Sequence, residues 1–162
     1  MFIEQSQLAE IRERHADEKI VLTSGTFDIL HAGHIRALEA SRAYGDVMAV
    51  MLSGDDRIRY RKGPDRPIIP EADRAYVLSA LKVVDYVFLD PNHNEPGKIH
   101  PSYAQILSDL RPDFYVADGV EERFAGLETD TQMVVLPRED FQEHELSTSA
   151  IIARIQSLRH QP

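Results

Sequence analysis

The stretch KIVLTSGTFDILHAGH, Lys19 to His34, decides the fold. Lys19 to Ser24 is a short apolar run that stops at Gly25, which reads as a buried strand. A loop follows, and a helix is predicted from about Gly33 to Tyr44, closed by Gly45. Val47 to Leu52, VMAVML, is a second apolar run of strand length. Strand, loop, helix and strand in that order make a βαβ unit.

Reading outward, residues 5 to 16 look like an amphipathic helix with Leu8 and Ile11 on one face. Ser53 to Pro70 is polar and rich in Arg, Gly and Pro, and reads as a long basic loop. Arg57, Arg59, Arg61, Lys62 and Arg66 place five of the chain's 18 basic residues within it. Long loops in compact domains are often functional. A helix is predicted to start near Pro70 and Glu71, with Val77, Leu78, Leu81 and Val84 as its buried face. Asp85 to Leu89, Phe114 to Ala117 and Met133 to Leu136 are the remaining strand candidates. Tyr103, Ile106, Leu107 and Leu110 stripe one intervening helix. Ile151, Ile152, Ile155 and Leu158 stripe a last one from about Ser149. Strands alternating with helices predict α/β: a single domain over residues 1–162, with 1–17 an N-terminal helical segment. Its doubly wound Rossmann-like parallel sheet should have about five strands.

Composition narrows the function. The chain has 162 residues, 43% of them hydrophobic, enough for one real core and too many for a disordered chain. There is no Cys, which removes disulfides, thiolate nucleophiles and Cys-type zinc sites together. Acidic residues number 27 against 18 basic, a net charge of −9. That balance disfavours nucleic acid and anionic membranes as partners. No apolar run approaches the ~20 residues of a membrane span, and MFIEQSQLAEIRERHADEK contains no uninterrupted apolar signal core. The expectation is a cytoplasmic protein.

In such sheets ligands bind beyond the carboxyl ends of the strands, so the loop after the first strand is the first place to look. His31 and His34 flank Gly33 at i and i+3. A helix starting there would turn unpaired N–H groups and the positive end of its dipole toward an anion, with two imidazoles as further donors. Gly25 permits a sharp turn, and Gly33 a close approach of backbone to ligand. A metal held by His31, His34 and Asp28 is the rival reading, ranked low because the i, i+3 spacing fits zinc loosely.

GTFDILHAGH resembles the signature of the nucleotidyltransferase superfamily that includes cytidylyltransferases and heptose-phosphate adenylyltransferases. Ser147-Thr148-Ser149-Ala150-Ile151-Ile152 resembles its second signature, which opens the final helix. Lys62 to Ile68, Glu71 to Arg74 and VLSALKVVDYV resemble the adenylyltransferase domain of ADP-heptose synthases. The three pieces fall in order over residues 20 to 155. The resemblance implies in-line attack by a substrate phosphate on the α-phosphate of an NTP, releasing pyrophosphate. His31, His34 and Lys62 would then be catalytic. Gly25, Thr26, Phe27, Gly33, Arg74, Asp118, Ser147, Thr148 and Ser149 would bind nucleotide, and Mg²⁺ would ride on the triphosphate. The partners implied are an NTP and a small phosphorylated sugar, polyol or similar compound, and the resemblance also implies a homodimer. Each role has a plainer counterpart. Ser147 to Ser149 is also an ordinary helix cap, Arg74 could pair with Glu71 or Asp73, Phe27 should pack in the core, and Asp28 should structure its loop.

Base and acceptor signals are mixed. The Lys62 region leans to ATP, whereas GTFD and Leu136-Pro137-Arg138 resemble the glycerol-phosphate cytidylyltransferases. Heptose adenylyltransferases carry Lys-Gly-Gly-Asp-Tyr after the fourth strand; this chain has Ala117-Asp118-Gly119-Val120-Glu121-Glu122. His93, His100 and His144 read as surface residues. The leading expectation is a nucleotidyltransferase with ATP slightly favoured. The alternatives are a glycerol-phosphate- or phosphonate-type cytidylyltransferase and a non-catalytic nucleotide-binding module.

Overall fold

A computed structural model describes residues 1–90, 101–117, 128–137 and 147–158. Its elements follow the chain as α1 (Leu8–Arg14), β1 (Ile20–Gly25), α2 (Ala32–Arg42), β2 (Val47–Leu52), α3 (Asp55–Lys62), α4 (Glu71–Ser79), β3 (Tyr86–Leu89), α5 (Pro101–Leu110), β4 (Phe114–Ala117), β5 (Gln132–Val135) and α6 (Thr148–Leu158). The five strands form one sheet in the order β3-β2-β1-β4-β5, and every pair is parallel. Strand order reverses between β1 and β4, which are direct neighbours with Val21 opposite Phe114.

The central strands of the sheet are buried on both faces, so they read as continuous apolar runs rather than alternations, whereas edge strand β5 is mostly exposed. All six residues of β2 are buried. Along β1, Ile20 and Leu22 enter one core cluster with Leu8 and Ile11 of α1 and Tyr103, Ile106, Leu107 and Leu110 of α5. Val21 enters the opposite cluster with Leu38 of α2 and Ala75 and Leu78 of α4. Helices therefore cover both faces, as doubly wound topology requires. At the β3 edge, Ile3 N donates to Val87 O (2.9 Å) and Val87 N donates to Met1 O (2.9 Å), so the N-terminal residues pair an otherwise open edge.

Three expectations need correction. The supposed loop from Ser53 to Pro70 contains α3. Asp55 and Asp56 in its first turn and Arg59, Arg61 and Lys62 in its last suit the helix dipole at both ends. The Glu71 carboxylate accepts the Asp55 N–H at 2.7 Å. Ile58 is its one buried residue, so there was no apolar stripe to read. Next, α4 ends at Ser79, so Leu81 and Val84 lie beyond the helix, and Val77 is exposed rather than on the buried face. Finally, Ile155 and Leu158 of α6 are exposed, and Ile151 and Ile152 are only partly covered.

Candidate active site

The site grows from the carboxyl end of β1. Gly25 O accepts the Ser53 N–H at 2.9 Å, tying the end of β1 to that of β2. A Cβ on Gly25 would lie 2.6 Å from the Phe27 ring, so only glycine fits. Phe27 has φ 46°, a left-handed turn rare for an aromatic residue. That turn sends its ring into the core, as expected, where it meets the His34 ring edge-on at 5.2 Å.

His31 takes the position before α2 and supplies no side-chain cap; His34 N donates to His31 O at 2.9 Å. The two imidazoles stack with centroids 3.8 Å apart and planes 22° from parallel. The Nδ1 atoms of both are buried without a hydrogen-bond partner. Buried polar atoms are nearly always satisfied, so two orphans side by side at a helix start mark a place built for something else. Burial holds the His31 imidazole below its ordinary pKa. His34 is held down to about 4 by burial first, then by the charges of His31 and Lys62, with Asp28 opposing. Gly33 is buried between them in the first turn of α2.

Lys62 ends α3 and lies within electrostatic reach of His34. Its pKa is lowered, first by burial and then by Arg66 and Arg61. Asp28 is buried and structures the loop, as expected. It accepts from Arg66 Nε (2.7 Å), Ile68 N (2.8 Å) and Ile69 N (2.9 Å) and so clasps the histidine loop to the basic segment. A carboxylate committed in this way leaves little for a metal. Among the described residues no group of three His, Cys, Asp or Glu side chains is arranged to hold one.

Arg74 does not pair with Glu71 or Asp73 on its own helix but is turned inward. Its side chain is 1% exposed. It donates from Nε to Ile69 O (2.8 Å), from Nη1 to Thr26 O (2.6 Å) and Ser53 O (2.9 Å), and from Nη2 to Asp55 (2.7 Å). With four of its five donors committed, it braces the floor of the site from below. Sequence reasoning missed this role because an arginine on a charged helix gives no sign of facing inward.

Ser147 caps α6: Ala150 N donates to its Oγ at 3.1 Å. Thr148 is partly covered and Ser149 exposed. No described hydrogen bond joins the three to the histidines. Arg59 pairs with Asp56 and Asp55 on the surface, and Arg57 pairs with buried Asp90. Asp118, Glu121, Glu122, Arg138, His93, His100 and His144 lie outside the described residues.

A doubly wound α/β sheet with a helix start at its switch point is the class of fold in which nucleotides commonly bind beyond the carboxyl ends of the strands. The cytidylyltransferase-like family model matches residues 22–154. The Bifunctional protein HldE of Campylobacter curvus is 39% identical over 153 residues, covering 92% of this chain and 30% of that protein. The Bifunctional protein HldE of Helicobacter pylori strain J99 is 38% identical over 151 residues, with the same shares. The chain thus spans about 30% of the length of these curated relatives. Among solved structures, the lipopolysaccharide core biosynthesis protein of Thermoplasma volcanium superposes with a TM-score of 0.58. It is 26% identical over 74% of this chain and 97% of that one. The chain belongs to the cytidylyltransferase-like family, and the resemblance to nucleotidyltransferases read from its motifs stands.

Proposed function

We propose that this domain transfers NMP from an NTP to a small sugar phosphate and releases pyrophosphate, with ATP the favoured nucleotide. The observation that carries the reading is the stacked pair His31 and His34. Their orphaned Nδ1 atoms sit at the start of α2, with Lys62 alongside. Nucleotidyl transfer needs alignment and charge neutralisation rather than a protein nucleophile. His34 hydrogen-bonds the α-phosphate and stabilises charge developing there. His31 and Lys62 neutralise the rest of the triphosphate, and the backbone N–H groups of Thr26 and Phe27, near Gly25 and Gly33, contact phosphate. Ser147, Thr148 and Ser149 take the β- and γ-phosphates at the start of α6, and Asp118 contacts base or ribose.

Mg²⁺ fits this site only as a companion of the nucleotide. The side chains gathered here are imidazoles and an ammonium, so phosphate oxygens and water would hold the ion and it would screen the triphosphate charge. The fuller reading includes a homodimer in the cytoplasm. It rests on the motif resemblance, and sedimentation as a monomer would remove the second copy. Among the described residues no helix is long and apolar enough to cross a membrane.

The resemblance of residues 62–68 and 71–74 to the adenylyltransferase domain of ADP-heptose synthases supports the sugar phosphate and ATP. GTFD, residues 25–28, favours the second reading, a CTP-using enzyme acting on glycerol phosphate or a phosphonate. A pyrophosphate-release screen of ATP and CTP against heptose and hexose 1-phosphates, glycerol 3-phosphate and aminoalkyl phosphonates separates them. Release with ATP and a sugar phosphate is expected. Release only with CTP and glycerol phosphate or a phosphonate establishes the second reading. Tight NTP binding with no release from any acceptor overturns both in favour of a non-catalytic module.

A further inference from the structure

A second arginine lies on the ligand edge of the sheet and is bonded quite differently from Arg74. Arg57 sits in the first turn of α3, just beyond the carboxyl end of β2. Asp90 is the residue that follows β3, and its N–H donates to Leu52 O at 2.8 Å, so the two strand ends are joined there. The Asp90 carboxylate is fully buried. It accepts the Tyr103 hydroxyl hydrogen bond at 2.8 Å and faces Arg57 Nε at 3.4 Å. That long ion pair is Arg57's one partner among the described residues, and its Nε is buried without a hydrogen bond. The guanidinium side chain is 14% exposed. An arginine carries five N–H donors in a rigid fork suited to carboxylate or phosphate. Here a buried counter-charge fixes the fork's position while most of its donors remain unspent.

The strand order says which ligand would meet it. A nucleotide bound at the switch point, with its phosphates at the start of α2, occupies the crevice between β1 and β4. In-line transfer brings the acceptor in from a different direction than the nucleotide. The order β3-β2-β1-β4-β5 leaves the ends of β2 and β3 on the other side of β1 from β4. Arg57 and Asp90 stand at those two ends. We infer that Arg57, positioned by Asp90 and Tyr103, binds the anionic end of the acceptor and helps decide which acceptor is used. The inference rests on the transfer reaction proposed above. It adds a residue that the motif resemblance does not supply.

The test uses whichever acceptor the pyrophosphate screen identifies, with KM measured separately for acceptor and NTP. Arg57→Gln should raise the acceptor KM about 10- to 100-fold, as loss of charge-assisted hydrogen bonds does, with the NTP KM within about twofold. Arg57→Lys keeps a cation beside Asp90, protecting the fold, but lacks the fork, and should raise the acceptor KM about tenfold. Asp90→Asn keeps the shape and loosens the positioning, so it should also raise the acceptor KM. If Arg57→Lys melts like the wild type and leaves the acceptor KM unchanged, the pair is structural and the inference fails. The inference also fails if both KM values rise together. If the wild-type protein turns over no acceptor at all, the transfer reading fails instead. Arg57 is then probed by wild-type and Arg57→Lys binding of inorganic phosphate beside a non-hydrolysable ATP analogue. Equal phosphate affinities in the two proteins would overturn the inference independently.

Discussion

Two groups of basic side chains sit at the carboxyl edge of the sheet, and they are treated in opposite ways. Around Arg74 every charge is answered: two carbonyls from loop ends, a third from Ile69 and the Asp55 carboxylate surround one guanidinium. Around His31, His34 and Lys62 the charges are left short. The histidines keep buried nitrogens with no partner among the described residues, and desolvation pulls all three groups toward their neutral forms, with neighbouring cations adding to it at His34 and Lys62. The first arrangement is that of a structural brace. The second is a deficit that a polyanion would fill, and the brace holds it open, because Arg74 grips the Thr26 carbonyl directly beneath the histidine loop.

Breaking the brace should have the largest effect. Arg74→Met removes a buried charge, strips three carbonyls of their donor and leaves Asp55 only its long 3.8 Å contact with Arg59, which costs about 3–5 kcal/mol for such networks. For a chain of this size that lowers the melting temperature by roughly 6–20 °C, read by thermal unfolding. An unchanged melting temperature would mean the brace carries no load.

The second effect belongs to the deficit. His34→Ala should cut turnover by about 10²–10³-fold, as loss of one transition-state donor does. Its melting temperature should stay at or above that of the wild type, since the change removes a poorly satisfied buried group. A variant with near-normal turnover would take His34 out of the chemistry. Smallest should be Arg59→Ala: its pair with Asp56 lies on the surface and its contact with Asp55 is a long 3.8 Å, so stability should move by less than about 1 kcal/mol. A larger loss would show that surface charge on α3 matters more than the contrast allows.

Much of this was legible in the sequence, for physical reasons. VMAVML reads as an apolar run of strand length, and β2 is bounded as read and buried along its whole length. The glycine-flanked histidines could be placed at a helix start because strand, loop and helix fall in sequence around them. What escaped was whatever lacked an apolar signature. Helix α3 has only Ile58 buried and is otherwise polar and charged, so it read as a loop. The inward turn of Arg74 and the pairing of Arg57 with Asp90 depend on which way a side chain faces and on contacts distant in sequence, and no local pattern records either. The net charge of −9 remains compatible with a small anionic ligand, because Lys62 lies within electrostatic reach of His34, with Arg61 and Arg66 close to Lys62, while the acidic residues are spread along the chain.

The central claim, that the histidine pair is a neutral, underfilled site awaiting an anion, is tested most directly by NMR titration of the His34 imidazole with and without ATP. In the free protein His34 should titrate near pH 4, below the ordinary 6.5. A folded-state pKa lowered this way means that stability held above about pH 6.5 is lost as the pH falls toward 4, because the unfolded imidazole takes a proton that the folded one refuses. Bound triphosphate supplies the missing counter-charge and should raise the His34 midpoint by about one unit or more. A free-protein midpoint near 6.5 that ATP does not move would contradict the account.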